Sequence, residues 1–235
     1  MLGSPAPSNL SQLRGPMPNR TRRANLFAWA TWSLMLTLVV LLCVRFLDIP
    51  LALFVKHNLY ANAGWSQVTS NLPDLLLLVV TCSTIVSLVL HRVRSRRGLT
   101  DALTQLAQLV AWVGPVALLV KVLLKFVFGR VNTRMWLQEP GLYGFHWCQR
   151  LQGCDGFPSG HMLVIVALLA ALWRYYPKWR FCCLALGLLL GTALVATNYH
   201  FLSDVVAGAF LGVVVEVAAF ALLNRGSGSP VAPTP

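Results

Sequence analysis

Residues 26–46 read LFAWATWSLMLTLVVLLCVRF, an apolar run whose one charge, Arg45, stands next to its end. The hydrocarbon core of a bilayer takes about 20 helical residues, so this stretch predicts a membrane-spanning helix. Blocks of the same kind recur down the chain and predict further helices at about Pro73–Leu90, Ala102–Leu124, His161–Tyr176, Phe181–Thr197 and Phe201–Leu223. The fourth of the six is short, which suits a segment packed inside a bundle or one that starts at an aqueous pocket. The expected fold class is therefore all-α, a polytopic bundle of about six transmembrane helices. Composition agrees: 57% of the 235 residues are hydrophobic and 11% charged, against about 25% charged in soluble domains.

Three parts are expected. Residues 1–25, rich in Pro, Ser and Arg, read as a disordered basic segment. Residues 26–224 read as one membrane domain, and residues 225–235, with Gly-Ser-Gly-Ser-Pro after Arg225, as a flexible tail. The first apolar block is longer than a signal-peptide core and has no clear small-residue cleavage site, so it is read as a retained helix. Between the first two helices, Leu51–Leu72 carries Phe54, Tyr60 and Trp65 among polar residues, the pattern of an interfacial stretch or a structured loop.

The formal net charge of +12 would suggest nucleic acid in a soluble protein. Here the positions of the charges argue for a membrane surface and against nucleic acid. Arg20, Arg22 and Arg23 precede the first block, Arg92, Arg94, Arg96 and Arg97 follow the second, and Arg174, Lys178, Arg180 and Arg225 fall on the same side of a six-helix arrangement. That side is expected to be cytoplasmic. The opposite side receives Leu51–Leu72, the long Phe126–Gly160 loop and the tight Asn198–His200 turn. Few charges fall within the helices, Glu216 and Lys121 among them, which weakens a transporter reading.

Two segments on that opposite side carry chemistry. Pro158-Ser159-Gly160-His161 immediately precedes an apolar helix. It reads either as an ordinary N-cap with turn punctuation or as an anion site at a helix N-terminus, with Ser159 and Gly160 presenting N–H groups. His200 and Asp204, four apart, share one helical face; the pair reads either as a structural hydrogen bond or as an imidazole oriented by a carboxylate. Cys148 and Cys154 stand in the same outer loop, either as a disulfide, the expected form in an oxidising compartment, or as two free thiols. Cys43, Cys82, Cys182 and Cys183 lie in apolar segments and read as packing residues.

With Lys125 and the run Phe128-Gly129-Arg130-Val131-Asn132-Thr133-Arg134 ahead of them, these segments resemble the phosphatidic acid phosphatase type 2 superfamily over about Lys121 to Gly208. That family has three ordered motifs, Lys-x6-Arg-Pro, Pro-Ser-Gly-His and Ser-Arg-x5-His-x3-Asp. The second is complete at residues 158–161, and the third keeps His200 and Asp204. Counting from Lys125, the family's Arg-Pro falls on Asn132-Thr133, and the Ser-Arg of the third motif falls on Ala193-Leu194. The resemblance implies His200 as a nucleophile that forms a phosphohistidine, Asp204 as its orienting acid and His161 as the leaving-group acid. Lys125 and the Ser159–Gly160 backbone would bind the phosphoryl oxygens, with Arg130 or Arg134 replacing the absent arginines.

No metal or other cofactor is needed in that scheme, and no cluster of His, Cys and Asp has metal-ligand spacing; His57, His91 and His146 read as surface or interface residues. The expected partners are membrane lipids and a lipid phosphate or pyrophosphate substrate. The resemblance spans phosphatidic acid, phosphatidylglycerol phosphate, polyprenyl pyrophosphate and lipid A phosphates, and leaves oligomeric state unassigned. A bacterial inner membrane with the site facing the periplasm is the expected location. Two alternatives stay open: a phosphotransferase using the same intermediate, and a non-catalytic binder of lipid phosphates.

Overall fold

The computed structural model describes residues 19–59, 72–148 and 153–226. Two compact units divide the chain, Met1–Leu38 and Val39–Pro235. The described part of the first is helix, the body of α1 (Asn19–Leu42).

A π-helical turn, Cys43–Leu47, leads into α2 (Asp48–Asn58). The stretch expected to leave the helix after Phe46 therefore stays helical to Asn58. Asp48 in the first turn and Lys56 and His57 in the last match the helix dipole, and Leu51 to Val55 are helix-compatible apolar residues. Tyr60 and Trp65 lie outside the described residues.

Helix α3 spans Leu72–Arg96 and α4 spans Ala102–Phe128. Asp101 caps α4, accepting from the Thr104 N–H at 3.3 Å and the Thr104 hydroxyl at 2.7 Å. Gly129 closes α4 in the left-handed conformation, φ 51°, donating its N–H to the Lys125 carbonyl at 2.9 Å. A one-turn helix, α5 (Thr133–Gln138), sits in the loop that follows, and then come α6 (Gly160–Tyr175), α7 (Arg180–Ala196) and α8 (Leu202–Gly226).

Among the described residues, five helical segments are long and apolar enough to cross a bilayer: Phe27–Asn58, Leu78–Arg96, Ala102–Phe128, Pro177–Ala196 and Leu202–Arg225. The shorter Gly160–Tyr175 segment completes the expected six. The chain is an all-α, multi-pass membrane protein. Its outer helix faces expose Leu119, Val122, Leu188 and Leu189, as a lipid-facing surface requires.

The shortest of the six apolar membrane segments is the most enclosed. Leu163, Val164, Ala167 and Ala171 of α6 are wholly buried against Leu109, Val113 and Ala117 of α4 and against Val215 and Ala219 of α8. Close packing of α6 on α8 depends on two glycines one turn apart. A β-carbon at Gly212 would fall 2.6 Å from the Leu163 carbonyl oxygen, and one at Gly208 would collide with the Ser159 carbonyl. Gly208-x3-Gly212 is thus a small-residue contact of the kind that lets membrane helices approach without a hydrophobic driving force. It brings the start of α8 against the start of α6, where the two motifs lie.

Candidate active site

The Pro158-Ser159-Gly160-His161 turn and the Asn198–Asp204 turn are joined directly. The Ser159 N–H donates to the Asp204 carbonyl at 3.0 Å, and the buried Ser159 hydroxyl accepts the Met162 N–H at 3.5 Å as the N-cap of α6. Both groups of Ser159 are therefore engaged in holding the turn, which takes its N–H out of the expected anion-binding set. The N–H groups of Gly160 and His161 open the first turn of α6, where no intrahelical acceptor exists.

His200 is placed by the end of α7. The Leu194 carbonyl accepts from Tyr199 N–H at 2.9 Å and from His200 N–H at 3.3 Å, and Asn198 takes a left-handed φ of 48° to turn the chain. Asp204 stands at the third position of α8 and reaches back to accept the Phe201 N–H at 3.0 Å, the acid half of a capping box. The same oxygen, Oδ2, lies 3.7 Å from His200 Nδ1, looser than a hydrogen bond. His200 is buried, and among the described residues neither of its ring nitrogens has a hydrogen-bond partner. The His161 ring lies 6.0 Å from the His200 ring, centroid to centroid, and both pack edge-on to Tyr199. The three residues expected to perform chemistry are together.

His200 opens on a cleft of about 440 Å³ lined by Asn132, Arg134, Gln138, Asp155 and Tyr199. The Arg134 guanidinium sits 4.9 Å from the centre of the Tyr199 ring and donates to the Thr197 carbonyl at 3.5 Å. Lys125 lies 3.5 Å from Asp155, whose other oxygen accepts from Asn132 Nδ2 at 3.1 Å. Partial desolvation disfavours the Asp155 carboxylate, but Lys125 and the Asn132 amide outweigh it and hold that carboxyl below the usual range. Asn132, which occupies the family's first arginine position, thus binds an acid of the cleft. Leu194, at the second, is buried in the α6–α7–α8 contact.

The structure corrects Arg130. Its side chain is fully buried and faces away from the cleft into the protein. Nη1 donates to Asp204 Oδ1 and to Ser203 Oγ, both at 2.6 Å, and Nη2 donates to Asp48 at 2.8 Å and to the Tyr143 hydroxyl at 3.2 Å. The Phe201 ring lies 4.6 Å from the guanidinium carbon. The backbone forces this direction: Arg130 bridges antiparallel to Phe145, and its carbonyl accepts the Gly156 N–H at 2.8 Å. With both Nη nitrogens engaged behind His200, Arg130 does not stand in for a cleft arginine.

The expected Cys148–Cys154 bond is also corrected. Both are free thiols, Cys154 buried beside Trp136 and Phe201 and Cys148 exposed, with residues 149–152 between them outside the described set.

Two residues escaped the reading of the sequence. Asp48 is a lone acid in an apolar stretch, and an ionisable residue in a membrane segment is a functional signal by default; that signal was available. Lys121 lies one turn before Lys125, and its stem crosses Gly160 so closely that a β-carbon there would meet Cε at 2.6 Å. The glycine of the Pro-Ser-Gly-His turn leaves room for this lysine.

Comparison with known proteins bears on the same region. The family model of the PAP2 superfamily matches residues 105–226, more than half of the chain. A lipid A 1-phosphatase of Rhizobium johnstonii is 29% identical over 110 residues, 44% of this chain and 45% of the relative. Another, of Rhizobium etli, is 31% identical over 90 residues, 38% of each chain. The chain thus spans less than half the length of the curated relatives it matches. No solved structure matches it.

Proposed function

The chain belongs to the PAP2 superfamily, and from that membership we propose that it is an integral-membrane phosphatase that hydrolyses a lipid phosphate or pyrophosphate through a phosphohistidine. The observation that carries the reading is His200, a buried imidazole with unengaged nitrogens at a cleft, with Asp204 behind Nδ1 and His161 beside it.

In this mechanism Nε2 of His200 attacks phosphorus while the bond from phosphorus to the lipid oxygen breaks. His161 gives its proton to the departing alkoxide. Asp204 accepts from Nδ1 and compensates the imidazolium that forms. Water then attacks phosphorus, His161 takes a proton from it, and the P–N bond breaks to release inorganic phosphate and restore His200. Lys125, Arg134 and the N–H of Gly160 are assigned to the equatorial oxygens, which carry the negative charge of the transition state.

The substrate is proposed to be a phosphorylated lipid whose headgroup reaches the cleft from the non-cytoplasmic leaflet. The names of the relatives put lipid A 1-phosphate among the first to try. The placement follows the basic residues: Arg94, Arg174 and Arg225 fall at the helix ends opposite the cleft, the side that loops retained in the cytoplasm occupy. In a bacterium this supports a site facing the periplasm at the inner membrane.

Phosphate release from a panel of lipid phosphates by the protein in detergent tests the reading. His200→Ala is expected to abolish release, His161→Ala to lower it by orders of magnitude, and Asp204→Asn to lower it less than His200→Ala. Near-normal release by His200→Ala would refute the phosphohistidine route.

A further inference from the structure

We propose that Asp48 of α2 is a positioning residue for the His200–Asp204 pair, so that the last part of the first membrane segment supports the catalytic residues. The inference rests on the phosphohistidine reading above and goes beyond its residues.

Asp48 is almost fully buried and spends both oxygens on the elements that carry the pair. Oδ1 accepts the Ser203 N–H at 3.0 Å; Oδ2 accepts the Ser203 hydroxyl and, at 2.8 Å, the Arg130 guanidinium. Arg130 in turn donates to Asp204 Oδ1 at 2.6 Å, leaving Oδ2 as the oxygen that faces His200. Asp48 therefore fixes Asp204 twice, through the backbone next to it and through the arginine bound to it. Two further bonds from the same segment frame the site. The Ala52 carbonyl accepts from Asn198 Nδ2 at 3.2 Å, and the Val44 carbonyl accepts the Tyr143 hydroxyl at 3.0 Å. The turn bearing His200 is thus held at Asn198 on one side and at Ser203 on the other by residues four apart on α2. The π-helical turn just before Asp48 is the kind of irregularity that concentrates at functional sites.

Charge makes the arrangement more than a brace. With both acids ionised, two carboxylates around one guanidinium carry one net negative charge in a buried pocket, and Asp204 Oδ2 is its face toward the imidazole. If Asp48 were neutral, Arg130 would draw on Asp204 alone, and the charge available to a phosphorylated, cationic His200 would fall. Partners of this kind orient a reactive ring and select its tautomer, and their loss typically costs about 10–100-fold in activity.

Asp48→Asn keeps the shape and one acceptor while removing the charge. Its kcat is expected to fall about 10–100-fold with KM within about twofold of wild type, since substrate contacts are untouched. In the Asp204→Asn background the same substitution should cost much less, because its effect travels through Asp204. A second readout does not depend on turnover. In protein with 15N-labelled histidine, the His200 ring should show one Nδ1–H tautomer in the wild type and a mixture in Asp48→Asn. If the wild type releases no phosphate from any lipid tested, the phosphatase reading fails while this spectrum still decides the positioning role. An unchanged His200 spectrum in Asp48→Asn, or a loss of turnover matched by an equal loss of folded protein, overturns the proposal. Should Asp48→Asn not accumulate in membranes, Asn198→Gly decides. It preserves the left-handed turn and removes only the Ala52 tie, and it should lower kcat severalfold at unchanged KM; wild-type kcat would overturn the role of α2.

Discussion

Helix α8 carries a buried carboxylate toward each end, and an arginine meets each one. Near its start, Asp204 meets Arg130, both side chains fully buried, with a second acid, Asp48, on the same guanidinium. Past its middle, Glu216 takes Arg174 alone in a two-pronged contact of 2.5 and 2.8 Å, with Arg174 29% exposed and lying 3.9 Å from the centre of the Phe220 ring. The second pair is neutral, self-contained and within reach of the membrane surface, and it ties α6 to α8. The first sets two carboxyl groups on one guanidinium, is fully buried and has a histidine beside it. The same two functional groups are therefore set differently: a two-membered contact with an exit for the cation is a brace between helices, whereas the enclosed cluster of two acids and one guanidinium stands behind the proposed nucleophile.

Arg130→Ala tests the difference most severely. It leaves Asp48 and Asp204 facing each other without a counter-charge, and breaking such a buried pair costs about 3–5 kcal/mol. A large drop in melting temperature and poor accumulation in membranes are expected. If Arg130 were instead a cleft residue, the variant would melt like the wild type and lose only turnover. Thermal unfolding in detergent separates the two outcomes.

On the cleft side of His200 the expected losses are in rate. Arg134→Ala and Lys125→Ala should each raise the barrier for phosphoryl transfer by about 2–4 kcal/mol, the scale of removing one preorganised charge-stabilising group. Their melting temperatures should change little, since Lys125 meets Asp155 at a surface 62% exposed on the acid's side. Wild-type kcat/KM in both variants would dismiss these cations as ligands. Negligible turnover by the wild type itself, on every lipid tested, would instead strengthen the non-catalytic binder reading.

Glu216→Gln should cost stability and nothing else. One charge is lost from the brace, but an amide can still accept from Arg174, and the guanidinium can move toward the surface. A loss of about 1–2 kcal/mol is expected, with phosphate release per folded molecule unchanged. A rate effect without a melting shift would mean that the two ends of α8 are coupled.

What could be read from the chain follows the same division. The helices were legible because lipid demands long apolar runs, and even the short α6 announced itself by its length. His161, His200 and Asp204 were legible because their types and order are scarce in an apolar sequence. Arg130 and Arg134 could not be told apart, since spacing from Lys125 fixes their sequence offset but not which way the backbone turns them. That direction comes from the bridge to Phe145 and the bond to Gly156, contacts no local pattern encodes. Asp48 stands out in the sequence only as an acid in an apolar stretch, because its meaning depends on Arg130 and Ser203, more than eighty residues away. Gly208-x3-Gly212 stands in plain view, but it marks a contact only once α6 is known to lie against it.

A third arginine–carboxylate contact supplies the exposed limit of the comparison. Arg94 meets Asp101 at 2.7 Å where α3 passes to α4, with 24% and 52% of the two side chains exposed. The Arg94 contact, together with the Thr104 hydroxyl, lowers the Asp101 carboxyl to about 2, from about 3.9 in an unfolded chain. A depressed carboxyl of this kind stabilises the fold fully above the unfolded value, and the contribution is lost as pH falls from about 4 toward about 2. Asp101→Asn keeps a good N-cap for α4 while removing the charge, so it should flatten the fall in melting temperature across that pH window. Salt should imitate it at neutral pH, because exposed pairs are screened and contribute little. The shift should be the smallest of those expected here. If Asp101→Asn instead destabilised the protein as much as Arg130→Ala, enclosure would not be what separates the three contacts, and the contrast drawn between the two ends of α8 would have to rest on geometry alone.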